Sequence, residues 1–215
     1  MIITIDGYVA TGKGTTAKVA QKLGILYYDT AVRRTTLCAL EKLLDATDKE
    51  KVAMLDQLEF SFSPNKETGN DDFFLFKNRE EDIRSTELAL KMKPIVTCKP
   101  LREKMKEISR QYAEKSMVVD GRDAGTVLFP HACLKVFLTC DSEVRLERRI
   151  KQLKNARVVD EEKIRKEIQQ RDEHDYLKNA INKKADDARV LDTTNCTIGE
   201  QIDTIVQRAK KIKKD

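Results

Sequence analysis

A lysine set behind a run of glycines is the first place where this chain offers chemistry. Gly7-Tyr8-Val9-Ala10-Thr11-Gly12-Lys13-Gly14-Thr15 follows Met1-Ile2-Ile3-Thr4-Ile5-Asp6 directly, and Ala17, Val19, Ala20 and Leu23 continue it at helical spacing. Glycines let the backbone curl until successive N–H groups aim at one anion. A helix N-terminus adds partial positive charge, and Lys13 adds a full one. The chemistry that needs such a cradle is the handling of a nucleoside triphosphate. The general phosphate-loop pattern has Ser or Thr straight after the lysine; here Gly14 stands there and Thr15 comes one place later.

Three further groups carry charge in patterns that suit phosphate. Asp120-Gly121-Arg122-Asp123-Ala124-Gly125-Thr126 places a glycine between charged residues just past an apolar run. Such a turn aims its side chains into a cleft, and an arginine fork there suits a phosphate, although a salt-bridged turn reads the same way. Arg145, Arg148 and Arg149 lie in a predicted helix from Glu143 to Leu153, with Arg145 and Arg149 sharing a face. Phosphoryl transfer needs positive charge around the migrating group. Read alone, these arginines with Glu143 and Glu147 fit a solvated ion-pair helix equally well. On the next predicted helix Ile164 and Ile168 mark an inward face, and the same spacing leads to Arg171, Asp175 and Lys178. An apolar stripe that turns charged without changing face lines a polar cleft or hides an ion pair.

These groups need a framework. Short apolar runs at residues 1–6, 25–28, 117–120, 134–139 and 189–192 read as five strands, with helical patterns between and after them. That alternation predicts an α/β fold, a parallel sheet with helices on both faces, and ligands beyond the carboxyl ends of the strands. Asp6/Gly7, Asp29/Thr30, Asp120/Arg122 and Asp141 fall at those ends. Gly24 reads as the cap of the first helix, and residues 31–46 as helical. From about residue 47 to 114 the pattern changes. Leu58–Phe62 alternates and is stopped by Pro64-Asn65; a turn at 69–72 leads to Phe73–Phe76, and helical stretches at 84–92 and 99–114 follow, bracketed by Pro94 and Pro100. This predicts a small antiparallel insertion. A break at 155–159, followed by Asp160, Glu161 and Glu162, predicts a lid over about residues 150–165.

Composition narrows the classes. A chain of 215 residues is long enough for one domain with an insertion. Charged residues make up 36% and aromatics 6%, and the net charge of +5 helps attract anions without arguing for nucleic acid. Cys38, Cys98, Cys133, Cys140 and Cys196 form no C-x-x-C pair, so neither a zinc spacing nor a disulfide framework is expected. No long apolar segment is present, and the expectation is a cytoplasmic monomer that binds neither membrane nor nucleic acid.

Taken together, these residues resemble the bacterial cytidylate kinases, among the nucleoside monophosphate kinases. The likeness runs over nearly the whole chain. Its motifs are Ile-Thr-Ile-Asp-Gly…Gly-Lys-Gly-Thr, Tyr28-Asp29-Thr30, Ile83-Arg84-Ser85, Asp120-Gly121-Arg122-Asp123…Gly125-Thr126-Val127…Phe129-Pro130, and Arg171-Asp172…Asp175. The resemblance implies a P-loop fold with an inserted acceptor-binding subdomain over about 47–114, and transfer of phosphate from ATP to CMP or dCMP with Mg²⁺. UMP or AMP as acceptor, or a nucleotide-binding paralogue that has lost catalysis, are the alternatives.

It also implies roles. Gly7, Tyr8, Val9, Ala10, Thr11, Gly12, Lys13, Gly14 and Thr15 would hold the ATP phosphates, with Lys13 bridging to the transferred group. Thr15 would be the hydroxyl nearest Mg²⁺. Thr30 and Arg122 would position the acceptor phosphate. Arg102 and Asp123 match positions that read the cytosine, and Arg171 and Asp175 match positions near the acceptor and its ribose. Arg145, Arg148 and Arg149 would belong to the lid over ATP. The chain departs from the pattern at several points. Tyr8 and Ala10 stand for Pro and Gly, Lys93 aligns with a base-reading serine, and Lys178 replaces an arginine. After Asp29-Thr30 the phosphate-binding arginine is displaced; Arg34 is the choice and Arg33 the runner-up.

Overall fold

The first apolar run becomes the middle of the five parallel strands. The computed structural model describes residues 1–30, 46–56, 61–64, 71–74, 98–154, 160–173 and 183–212. Within them the chain runs β1 (Ile2–Gly7), α1 (Thr16–Leu23), β2 (Leu26–Asp29), α2 (Asp48–Asp56), β3 (Ser61–Pro64), β4 (Asp71–Phe74) and α3 (Lys99–Arg110). It continues through β5 (Met117–Asp120), β6 (Leu134–Thr139), α4 (Ser142–Lys154), α5 (Glu161–Asp172), β7 (Arg189–Asp192) and α6 (Ile198–Ile212). One sheet takes them in the order β3-β4-β2-β5-β1-β6-β7. The five strands β2-β5-β1-β6-β7 are parallel, as predicted.

β1 can sit between β5 and β6 because both its faces are buried. Ile3 and Ile5 point to one side, where they meet Val19 and Ala20 of α1 and Ile202, Ile205 and Val206 of α6. Across the sheet, Met117, Val119 and Tyr28 pack on Ala124, Leu128, Phe129 and Ala132. The segment that holds the charged turn therefore fills part of the layer opposite α1 and α6. Leu146 and Ile150 of α4 form a separate small cluster with Ile164 and Ile168 of α5, and Val9 packs against it. The predicted inward face of α5 is thus the face that pairs with α4.

Local chemistry sets the boundaries. α1 ends at Gly24 (φ 64°), whose N–H reaches back to Ala20 and Gln21, the predicted cap. α2 was not anticipated, yet Thr47 and Glu50 form a capping box at its start: Thr47 N–H donates to Glu50 Oε2 (2.7 Å), and Glu50 N–H to Thr47 Oγ1 (3.3 Å). Thr197 and Glu200 do the same for α6. Asp160 caps α5 by accepting from Lys163 N–H (3.1 Å).

The predicted hairpin is antiparallel, but its strands lie at 61–64 and 71–74, pairing Phe62 with Phe73 and Pro64 with Asp71. Pro64 ends no strand early because β3 is the edge of the sheet, where one side of the ladder makes no demand on an N–H. β4 also pairs in parallel with β2 through Tyr27 and Asp72, so the hairpin prolongs the main sheet. α3 stops at Arg110, short of the predicted 114, and residues 111–115 turn into β5. The predicted helices at 31–46 and 84–92 and the break at 155–159 lie, wholly or nearly so, outside the described residues.

Tyr28 ties β2 to α3. Ser109 Oγ gives its proton to Met105 O (2.7 Å), so the Tyr28 hydroxyl donates to Ser109 Oγ (2.7 Å), and both residues are fully buried. Tyr28→Phe removes that donor and leaves a buried lone pair. We expect a loss of about 1 kcal/mol in urea unfolding, with no change in secondary structure.

Candidate active site

The glycine-rich loop leaves the sheet where β1 meets β6, and two of its glycines are forced. A Cβ on Gly7 (φ 149°) would stand 2.4 Å from the carbonyl oxygen of Leu138, a backbone atom that cannot give way. One on Gly12 (φ 97°) would stand 2.5 Å from Gln201 Oε1. Ala10 also lies in the left-handed region, at φ 58°, with its methyl group in place. A single 3₁₀ turn, Lys13–Thr15, then leads into α1.

The loop is tied from within and from behind. Lys13 Nζ folds over it, donating to Gly7 O (2.7 Å) and Tyr8 O (2.5 Å), and Thr11 Oγ1 donates to Tyr8 O (2.9 Å). Thr15 Oγ1 donates to Gly12 O (2.8 Å). From α6, the buried Gln201 donates through Nε2 to Gly12 O (3.0 Å) and Thr15 Oγ1 (2.8 Å). From the end of β7, the fully buried Thr193 donates through its hydroxyl to Thr11 O (2.9 Å).

At the carboxyl ends of β1, β2 and β5 the side chains are acidic and close together. Asp6 accepts from the N–H groups of Ala124 (3.0 Å) and Gly125 (2.8 Å), the start of a π-helical turn, Ala124–Leu128. Burial raises Asp6 to about 6; the two amide bonds pull it back, Asp123 adds to the rise, and Lys13 opposes it. Burial, and then the neighbouring Asp29 carboxylate, push Asp120 well above the usual carboxylate range, against Lys13 and Arg122. Arg122 NH1 donates to Gly7 O (3.4 Å), the same carbonyl that Lys13 holds. Thr30 closes the end of β2 by donating its N–H to Asp120 O (2.9 Å). Two cations and several carboxyls thus share one edge of the sheet, at the crossover where strand order changes direction.

α4 approaches from the β6 side. Arg145 forms an ion pair with Asp172 of α5 and donates to Val9 O (3.4 Å), while Val9 N–H donates to Asp172 Oδ1 (3.4 Å). The Arg145 guanidinium lies 5.4 Å from the centre of the Tyr8 ring. Arg148 is held elsewhere, on Thr193 O (2.6 Å) and Thr193 Oγ1 (3.1 Å). Arg149 reaches Gln152 one turn on, at 3.4 Å.

The structure therefore brings together Gly7 to Thr15, Thr30, Arg122, Asp123 and Arg145. It sets Arg148 at the far side of the loop, behind Thr193, and leaves Arg149 against its own helix. Arg102 is exposed in the first turn of α3. Arg34, Asp175 and Lys178, and the side chain of Arg171, lie outside the described residues. Three residues to which the sequence reading assigned no role also tie to the loop: Asp172, quoted above only within a motif, and Thr193 and Gln201. Asp172 was legible, since Ile164, Ile168 and Asp172 continue one i, i+4 stripe. Gln201 was legible as a polar residue beside Ile202 and Ile205 on an apolar face. Thr193 had no signal beyond its place after a strand.

The donors present fit a nucleotide with its cation. Gly14 borders open space, since a Cβ there would meet nothing within 4 Å. Thr15 Oγ1 has placed its proton on Gly12 and accepts one from Gln201, which leaves one lone pair. A single hard oxygen of this kind suits Mg²⁺ that arrives on phosphates and keeps its waters.

Comparison with known proteins agrees with this geometry. A family model described as cytidylate kinase matches residues 3–211. A cytidylate kinase of Salinibacter ruber is 39% identical over 222 aligned positions, covering 98% of this chain and 97% of that one. One from Cytophaga hutchinsonii is 37% identical over 217, covering 97% and 93%. A solved structure of an uncharacterized protein from Eubacterium ventriosum superposes with a TM-score of 0.53 over 98% of both chains at 16% identity, a likeness of fold.

The Asp6 carboxyl makes stability depend on pH in a defined direction. Its folded value is raised from 3.8 to about 6, so the native state holds the proton more tightly. The stability this gives is complete below the unfolded value and is lost as pH rises through about 6. The two-unit shift corresponds to about 3 kcal/mol. Urea unfolding of wild type and Asp6→Asn at pH 4 to 7.5 should show wild type losing most of that amount relative to the variant. A difference that stays flat with pH contradicts the assignment.

Proposed function

The chain belongs to the cytidylate kinase family, and from that premise we propose that it moves the γ-phosphoryl group of ATP onto the phosphate of CMP or dCMP by direct in-line transfer. It is a phosphotransferase acting on CMP. The family and its named members do not favour another monophosphate or a paralogue without catalysis. One observation carries the assignment of parts. Lys13 of the loop and Arg122 of the acceptor-side turn meet on the single carbonyl of Gly7, so the two cations that would face donor and acceptor phosphates are neighbours before either arrives.

In this reading the N–H groups of residues 7–15 and the N-terminus of α1 hold the triphosphate. Lys13 leaves the loop carbonyls for the phosphate that moves, following its charge. Arg122, with Thr30, aligns the acceptor phosphate, whose oxygen is the nucleophile. Arg145 supplies charge from the α4 side, and Arg148 fixes the end of β7 against the loop. Thr15 would stand beside the Mg²⁺ that ATP carries, which would supply charge neutralisation when bound. No covalent intermediate is needed; alignment and preorganised charge do the work. Asp123 and Arg102 on the acceptor side, with Arg171, Asp175, Lys178 and Arg34, belong to the base, ribose and phosphate contacts. Arg149 belongs to the lid. Among the described residues no helix is long and apolar enough to cross a membrane; action as a cytoplasmic monomer belongs to the same proposal.

Two measurements test it. Lys13→Ala should lower turnover by roughly 10²- to 10³-fold with the fold intact by circular dichroism; wild-type turnover in that variant would falsify the role of Lys13. A coupled assay of ADP release with CMP, dCMP, UMP, AMP and dTMP should give highest kcat/KM for CMP and dCMP. A higher value for a purine acceptor overturns the acceptor assignment while leaving the kinase intact.

A further inference from the structure

Of Arg145, Arg148 and Arg149, Arg145 is the one whose guanidinium meets Tyr8 and Val9, and it does not arrive unsupported. Its guanidinium faces the Tyr8 ring at 5.4 Å, and that ring is itself fixed edge-on to Phe137 of β6, with centroids 5.6 Å apart at 83°. One edge is taken by Asp172 and Val9 O, and the second Asp172 oxygen receives Val9 N–H. Both charged side chains are enclosed, at 11% and 15% exposure. Arg145 Nε is buried and has no acceptor among the described residues, so the guanidinium is held by one face and one edge with a donor unspent.

We propose that Tyr8 and Asp172 are positioning residues for Arg145, an aromatic face and a carboxylate that together set the guanidinium plane beside the phosphate loop before nucleotide binds. This rests on the reading above, in which Arg145 acts on the charge that develops in transfer. A free arginine has several soft torsions to fix before its fork can serve an oxyanion. One already stacked and paired meets that cost in the folded state. The ring contributes through its quadrupole, which needs an aromatic and not merely an apolar group. The carboxylate contributes through an enclosed pair, so neutralising it leaves a buried cation without compensation and releases the guanidinium. Tyr8 stands where the resembled pattern has proline. Proline would offer Arg145 no π face.

The test is a double-mutant cycle on the full-length enzyme, with ATP and CMP as substrates. Tyr8→Leu and Asp172→Asn should each lower kcat about tenfold while KM for CMP moves less than about twofold. Tyr8→Phe should recover most of what Tyr8→Leu loses. In the Arg145→Ala background neither substitution should slow the enzyme more than about twofold further, because there is no guanidinium left to place. If the effects instead multiply, if Asp172→Asn keeps wild-type kcat, or if Tyr8→Phe is as slow as Tyr8→Leu, the clamp is wrong. Should Tyr8→Leu fail to fold, Asp172→Asn against Arg145→Ala completes the same cycle. Wild-type kcat in Arg145→Ala would sink the role of Arg145 itself. A slow Arg145→Ala with independent Tyr8 and Asp172 effects sinks only the clamp.

Discussion

The Asp6 carboxyl is the joint that holds the two halves of the site together. It ends the central strand, faces the layer opposite α1 and α6, and takes both of its hydrogen bonds from backbone amides of the turn at 124–125. Where Asp6 goes, the phosphate loop begins one residue later, and the turn it grips carries Arg122 and Asp123 immediately upstream. The separation of the Lys13 segment from the Arg122 turn is therefore set by one buried side chain and not by two independent loops. The same burial makes the carboxyl reluctant to ionise, and burial raises Asp120 beside it in the same direction. A site built to attract phosphates thus keeps a reserve of carboxyls close by, whose charge is restrained by burial and balanced by Lys13 and Arg122.

What holds the α4–α5 pair differs from what holds the sheet. The sheet core gathers residues from β1, β5, β6, β7, α1 and α6 into one cluster. The helix pair has its own cluster of Leu146, Ile150, Leu153, Ile164 and Ile168, joined to the rest by Val9 and by polar contacts at the loop and at Thr193. A unit with few apolar ties to the main core can open at low free energy while the sheet stays folded. Any such opening would have to break the polar ties of Arg145, Asp172 and Val9 and those of Arg148 to Thr193.

The chain announced some of this and withheld the rest, for physical reasons. The loop was plain because its chemistry is local: Gly7, Gly12 and Lys13 work within nine residues of backbone. The five parallel strands were plain because strands buried on both faces read as apolar runs. The hairpin existed where expected, yet its strands were misplaced by two or three residues. Local alternation says nothing about which residue pairs with which, and Pro64 was taken for a stop that an edge strand does not enforce. The partners of Gln201 and Thr193 stayed hidden because they lie some 180 residues away. Arg145, Arg148 and Arg149 looked alike in sequence. Only the packing of α4 on the loop and on the end of β7 separates one that faces Tyr8, one that braces Thr193 and one that lies along its own helix.

Ala10 carries a consequence for how this loop meets its ligand. A left-handed backbone is a broad basin for glycine but a narrow one for alanine, and alanine enters it at a cost of about 1–2 kcal/mol. The loop bears that cost because Gly12, Thr15, Gln201 and Thr193 leave its ends little choice. A narrow basin also means few alternative shapes. The loop gives up some thermodynamic stability and in exchange has less motion to lose when a triphosphate settles on it, so more of the contact energy is available as affinity. In this chain the methyl group acts as a stiffener, turning the hinge that glycine would make into a bracket.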